Sequence, residues 1–391
     1  MAHYFIFPQS DTTLYSHPDR STMNAGYDEV LELVKERGTS DQYHYPTRIL
    51  MKFKNEDINT ALSLMGHDTF TSSLSSSVSL NLIASVSNNL VSTHNINVYA
   101  VSQSWDEGTG KYLNLPTGSN GTSWLYKDDS TSATPWTGST AGTNWFGTNV
   151  WGTGSISSSL VEQGGGTWYT GSEFQASQQF LAGASLDTDF DVKNIIHKFS
   201  ASSNAGASIP DGIENFGFLL KMPDNVEANL SSSFGEIQYF SSNTHTVYPP
   251  KLIFKWDDSS YTLPTDGQIK SGSTFVSLYN NKEEYNQNDE VVFKLHIRDK
   301  YPKREFATTS NYLNVGFFTT SSFYSIRDAH TEREIIPFDD YTKLSADANG
   351  MFFKIYMKGL QPERYYRLLF KHNHSNGTTI YDNDYYFKVV R

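Results

Sequence analysis

Three aspartates at alternate positions, Asp187, Asp189 and Asp191, come nearest to a metal site by residue type and spacing. On an extended segment they would share one side and offer the oxygen cluster that calcium takes. The run is not an EF-hand loop, because Val192 stands where glycine is needed and Lys198 where the bidentate glutamate belongs. Three solvated carboxylates at a loop are the commoner arrangement, so no metal and no cofactor is assigned. Asp106 and Glu107 follow Trp105 and imitate a glycosidase carboxylate, but that chemistry needs two carboxylates facing each other across a cleft. His372 and His374 flank Asn373 just before Ser-Asn-Gly, as at a hairpin tip, and the eleven histidines form no H-E-x-x-H pair. The G-S-T-A-G at 138–142 has threonine where a nucleophile elbow needs serine, and the G-T-G-K at 108–111 lacks the spacing and the following Ser or Thr of a P-loop. The chain has no cysteine, which removes thiolate catalysis, disulfides and Cys-ligated zinc together. These residues read as non-enzymatic.

Aromatic residues are the other chemistry on offer. Residues 108–178, about seventy in all, form a matrix of Gly, Ser and Thr that carries Trp124, Trp136, Trp145, Phe146, Trp151, Trp168 and Tyr169. Disordered segments are poor in aromatics. Rings at this spacing must be covered, either by their own domain or by a partner chain or a stacked glycan. The same seven residues are thus the interface or glycan candidates.

The elements that would position them are mostly strands. Ile96, Val98 and Ala100 alternate with Asn97, Tyr99 and Val101, and Trp105 follows as a large anchor. Phe293, Leu295 and Ile297 alternate with Lys294, His296 and Arg298, and Phe353, Ile355 and Met357 with Lys354, Tyr356 and Lys358, each pattern predicting a strand with one wet face. Ile58, Ala61, Leu62 and Met65 predict a short helix, capped at Asn55 or Asp57 and ended by Gly66. Val192, Ile195, Ile196 and Phe199 predict another. Residues 259–273 are polar, with Pro264, Gly267 and Gly272, and read as a linker. The expected fold class is all-β, with one domain over 1–258 that carries the insertion at about 108–178 and a second over 274–391.

A length of 391 residues suits two or three domains, and a net charge of −12 argues against a nucleic-acid partner. Lys300, Lys303 and Arg304 form the one small basic cluster and read as a solvated loop. The N-terminus lacks a basic region before an apolar run that stops at Pro8, so no secretory signal is expected, and no stretch approaches the roughly 20 apolar residues of a membrane helix. The expectation is a protein made in a cytoplasm, without a membrane partner.

Several short motifs carry a family resemblance. They are Asp11-Thr12, the strand R-I-L-M-K-F at 48–53, Trp105 with Glu107, N-F-G-F at 215–218, Y-F-S-S at 239–242 and P-P-K-L at 249–252. In that order they resemble the DNRLRE-type, carbohydrate-binding-module-like β-sandwich of surface and virion proteins, covering about two-thirds of the chain, a resemblance that implies a jelly-roll-like β-sandwich over 1–258. The long insertion departs from that family. Leu360, Pro362 and Tyr366 in G-L-Q-P-E-R-Y-Y resemble the tyrosine corner of fibronectin type III domains, which implies an Ig-like or fibronectin III-like β-sandwich over 274–391. Together with Y-D-E-V-L-E-L at 27–33 and the Ser/Thr/Asn-rich composition, the chain resembles virion structural proteins of tailed phages, particularly contractile-tailed marine ones. That resemblance implies a tail, neck, baseplate or capsid-exterior component that meets other virion proteins, forms homo-oligomers within the particle and is made in the host cytoplasm. The alternative is a carbohydrate-binding adhesion module in which the aromatic insertion contacts a host surface glycan.

Overall fold

The computed structural model describes residues 2–38, 43–65, 76–90, 93–112, 120–131, 133–136, 145–146, 164–169, 171–181, 183–203, 212–229, 231, 233–262, 267–269, 273–279, 281–301, 306, 308 and 315–391. Strand accounts for 48% and helix for 9%, so the fold is all-β, as the period-two patterns predict. The chain divides into two compact units, one of Ile6–Leu74 and Val78–Ile253, the other of Met1–Phe5, Ser75–Ser77 and Phe254–Arg391. The division falls five residues before the expected position of 258, and two short N-terminal pieces count with the second unit.

The first unit is framed by an eight-stranded sheet. Its strands run Gln175–Phe180, His94–Ala100, Phe218–Lys221, His44–Lys52, Val30–Arg37, Glu236–Phe240 and Ala84–Asn88, and Ser10–Tyr15 also pairs with His44–Lys52. All these pairings are antiparallel. The alternation expected at 96–101 holds only in part: Ile96, Val98 and Ala100 have no exposure, but Tyr99 and Val101 are buried too, because the other face is covered by the cluster that holds Trp124 and Trp168. Leu31 and Leu33 are buried and alternate with half-buried Glu32 and Val34. Both expected helices form. Asn55–Leu64 buries Ile58, Ala61 and Leu62, yet its N-cap is Lys54 with no side-chain cap. Asn55 does not cap because its Oδ1 accepts from Asn215 Nδ2 at 2.7 Å. Lys193–Ser203 buries Ile195, Ile196 and Phe199, and Asp191 Oδ1 accepts its first amide, that of Lys193, at 3.1 Å.

The second unit has two sheets with the strand order of an Ig-like sandwich. One runs Thr274–Tyr279, Glu290–Asp299, Gly350–Tyr356, Ser345–Asp347; the other runs Glu284–Asn286, Gly377–Val390, Arg364–His374, Ser322–Asp328, Glu334–Ile336. Glu284–Asn286 lies parallel to the C-terminal strand, the rest of the pairings within these sheets being antiparallel. Aromatic rings fill the interior: Phe293 stacks on Phe353 at 5.1 Å, and Tyr324 on Phe353 at 4.6 Å. The tyrosine corner is present, since the buried Tyr366 hydroxyl donates to the Gln361 carbonyl at 2.9 Å, beside buried Leu360. His372 and His374 close a strand that turns at 375–376, as a hairpin tip requires.

The polar stretch expected to be a free linker is not one in its described residues. The Ala346 amide donates to the Ser260 carbonyl and the Thr262 amide to the Ala346 carbonyl, while the Ile269 and Phe317 backbones exchange bonds with Phe317 and Gly267. Backbone pairing is indifferent to side-chain polarity, which is why a Pro/Gly-rich composition reads as linker while the chain is hydrogen-bonded.

Replacing Tyr366 by Phe keeps the ring in the core and deletes one buried bond, leaving the Gln361 carbonyl short of a partner. A loss of about 1–2 kcal/mol is expected, read as a lower midpoint of the C-terminal unit in urea unfolding.

Candidate functional site

Arg48 sits in the middle of His44–Lys52 with no exposed surface. Its Nε and Nη2 donate to the two oxygens of Glu227 at 3.2 and 2.7 Å, and its Nη1 donates to the Gly165 carbonyl at 2.7 Å. The guanidinium lies 4.7 Å from the ring centre of Trp124 and 5.0 Å from that of Trp168. Glu227, on the short helix Asp224–Ala228, also meets Lys221 Nζ at 3.0 Å, and Lys221 pairs with Asp224 as well. Lys35 Nζ donates to the Val226 and Asn229 carbonyls; burial pushes this amine down to about 8, against the pull of Glu227. The loop that reaches Arg48 must be glycine. Gly165 has φ +75°, and a Cβ there would stand 2.6 Å from Arg48 Nη1 and 2.7 Å from the Trp124 ring.

This arrangement answers where the insertion's rings go. Trp124, Trp136 and Trp168 are buried in one cluster with Leu14, Tyr45, Leu50, Tyr99 and Leu219. The Trp136 indole donates to the Ser123 carbonyl at 3.0 Å. As interface or glycan candidates these three are therefore corrected: they are interior side chains of the first unit, because a Gly/Ser/Thr backbone can lie close to the sheet while the rings fill the space beneath. Tyr169 is half-buried and tilted against Phe174 at 5.3 Å; burial, then the charge of Glu214, raises its hydroxyl. Trp145 and Phe146 form a short ladder with Tyr169 and Trp168. Trp151 lies outside the described residues, as do Lys303 and Arg304 of the basic cluster.

Glu107 and Asp11 are motif acids that the fold brings together. The Asp11 amide donates to Glu107 Oε1 at 2.8 Å, and the Asp11 carboxylate accepts from the Ser242 amide and hydroxyl at 2.7 and 3.1 Å. Burial pushes Asp11 up to about 7; the Ser242 bonds oppose this and the Glu107 charge adds to it. Glu107 is raised as well, by burial and then by Asp106, against the Asp11 amide bond. A raised carboxyl beside a second one is what a glycosidase acid requires. Here Asp11 is only 1% exposed and bonded on both oxygens, so it meets no substrate. Trp105 is equally committed, its indole donating to the Phe216 carbonyl at 2.8 Å. Asn24, which no motif marks, is the hub of this corner: its amide donates to the Glu107 and Thr122 carbonyls, and its oxygen accepts from Gly26 and Gly110.

The aspartate triplet is dispersed. Asp187 Oδ1 accepts from the Ala84 amide at 3.0 Å, the Asp189 amide donates to Gln178 Oε1 at 2.7 Å, and Asp191 holds the start of its helix. Among the described residues no three His, Cys, Asp or Glu side chains are grouped to hold a metal. His372 is buried and stacked 4.2 Å from Phe318; burial, then His374, pushes it down to about 4. No protein-family model matches the chain, and no curated protein sequence matches it.

Glu227→Gln leaves Arg48 and Lys221 buried with half their counter-charge. A loss of about 3–5 kcal/mol is expected, a fall in Tm on the order of 10 °C for a unit of this size; an unchanged Tm would refute the role given to the pair. Asp11 gives a pH signature of opposite sign to an ordinary ion-paired acid. Its folded pKa of about 7 exceeds the unfolded value near 4, so its contribution is complete below about 4 and is lost as pH rises through about 7. The Tm of Asp11→Asn relative to the native chain should accordingly climb between about pH 4 and pH 7 and level off above; a difference that stays flat across that range would contradict the assignment.

Proposed function

We propose that this chain is a non-enzymatic structural protein of a tailed-phage particle, a component of the tail, neck, baseplate or capsid exterior. The observation that carries this reading is that the residues with chemistry in them are bonded inward. Arg48 and Lys221 are countered by Glu227 and Asp224; Asp11 and Glu107 tie a strand to two loops; three tryptophans fill the interior. A chain whose reactive groups hold its own fold acts through the surfaces that fold presents. The motifs that resemble virion proteins fall on such holding positions: Asp11, Arg48, Trp105 and Glu107, and Asn215, whose amide donates to the Phe53 carbonyl at 2.9 Å.

The Ig-like second unit suits the role as a docking module, although that fold by itself serves many functions. The partners proposed are other virion proteins and further copies of this chain. No nucleic-acid partner is proposed, since phosphate binding draws on clustered cations that an acidic chain lacks. No helix among the described residues is long and apolar enough to cross a membrane.

The alternative, an adhesion module for host polysaccharide, needs rings presented to solvent. Trp124, Trp136 and Trp168 are not presented, so that reading has to rest on other side chains.

Quantitative mass spectrometry of gradient-purified particles tests the proposal. The chain is expected at a fixed ratio to the major structural proteins; particles free of it, with the chain confined to the infected-cell lysate, would overturn the reading.

A further inference from the structure

The sheet of Thr274–Tyr279, Glu290–Asp299 and Gly350–Tyr356 has an inner face that completes the core of the second unit, with Val276, Phe293, Leu295, Ile297, Phe353 and Ile355 buried. Its outer face is unusual for a solvated surface. Phe275, Tyr279 and Val292 are 45%, 52% and 46% exposed. The register sets Phe275 opposite Arg298, Tyr279 opposite Lys294 and Val292 opposite Lys354. Arg298 lies 4.7 Å from the Phe275 ring centre, and Tyr279 meets His296 edge-on at 5.7 Å. Lys354 is paired with Glu290 at 2.6 Å. Large apolar groups interleaved with cations, and not needed for the core behind them, are the composition of interface anchors rather than of a solvated face.

Charge indicates what covers it. Residues 254–391 hold 18 Lys and Arg against 18 Asp and Glu, while residues 1–253 hold 12 against 24, so the whole net charge of −12 lies in the N-terminal part. There Val30–Arg37 and Glu236–Phe240 carry the half-buried Glu32, Glu36 and Glu236 on one face, where Tyr15 and Gln238 donate to Glu32 and Arg20 pairs with Glu36, offsetting one of the three charges, and Val86 is 45% exposed on the adjoining strand. Burial, then the charges of Glu236, Glu36 and Asp28, raise the Glu32 carboxyl against its bond from Tyr15. Crowded carboxylates of this kind gain most from cations brought by a partner.

We propose that the outer face bearing Phe275, Tyr279, Val292, Lys294 and Arg298 docks a second copy of this chain, through the acidic face of that copy's N-terminal unit around Glu32 and Glu236. The proposal rests on the assembly role above and names the surface that performs it. Because the two faces differ, the contact is heterologous and repeats, giving a ring where the rotation closes and a filament where it does not.

Sedimentation velocity of the full chain over about 1–100 µM, at about 0.05 M and about 0.5 M salt, tests it. Concentration-dependent association is expected at low salt and weaker association at high salt. Lys294→Glu with Arg298→Glu should weaken association about tenfold or more, as should Glu32→Lys with Glu236→Lys. Mixing the two double variants should restore it, since each then meets a face of opposite charge; this rescue also shows that both variants are folded. A chain that stays monomeric at low salt overturns the proposal, as does association indifferent to both reversals. A monomer that binds an acidic polysaccharide through Lys294 and Arg298 overturns it in favour of the glycan reading. A chain present in particles yet monomeric in solution refutes this contact and leaves the assembly role standing; one that associates but is missing from particles does the reverse.

Discussion

A fully buried guanidinium constrains the first unit more than any other group. Removing Arg48 from water is costly unless every N–H finds an acceptor and a counter-charge stands close by. The sheet around it supplies neither. Glu227 comes from a helix 179 residues away and the Gly165 carbonyl from a loop 117 residues away, so the charge draws two remote segments onto one strand. Once Gly165 is there, Trp124 and Trp168 close over the cation, and these rings of the insertion become part of the interior.

Without cysteine, the two units hold themselves together by different means. The first relies on buried polar hubs: Glu227 shared by Arg48 and Lys221, Asn24 satisfied on both ends, and Asp11 clamped by Ser242. Such hubs suit a domain with a long excursion, because each one fixes chain segments that no strand ladder joins. The second relies on stacked rings between two regular sheets, with the Tyr366 bond as a local clasp.

That contrast explains what could be read from the sequence. Period-two burial at 293–297 and 353–355, the helices around Ile58 and Ile195, and the tyrosine corner are local patterns, and each is visible in one short window. The pairing of Arg48 with Glu227 is not local, and neither residue type signals burial by itself. Asn24 carries no motif at all. For the insertion, composition dictated that the tryptophans be covered but not by what, since the covering residues Leu14, Leu50, Tyr99 and Leu219 come from four separate strands. The same limit applies to 259–262 and 267–269, whose bonds use backbone atoms that composition does not describe.

Recognition in this chain has to be sought by subtraction. Asp11, Glu107, Arg48 and Glu227 and the rings of Trp124, Trp136 and Trp168, which look like chemistry in the sequence, have partners inside the fold. What remains unexplained by folding is an outer sheet face with exposed Phe275, Tyr279 and Val292, and a charge imbalance confined to residues 1–253. The exposed rings add no core to their unit, and the carboxylates repel one another although Tyr15, Gln238 and Arg20 hold some of them. Among the described residues the exposed Phe275, Tyr279 and Val292 are the large apolar groups that no internal packing accounts for, and a partner that covered them would gain the burial that the fold leaves unused.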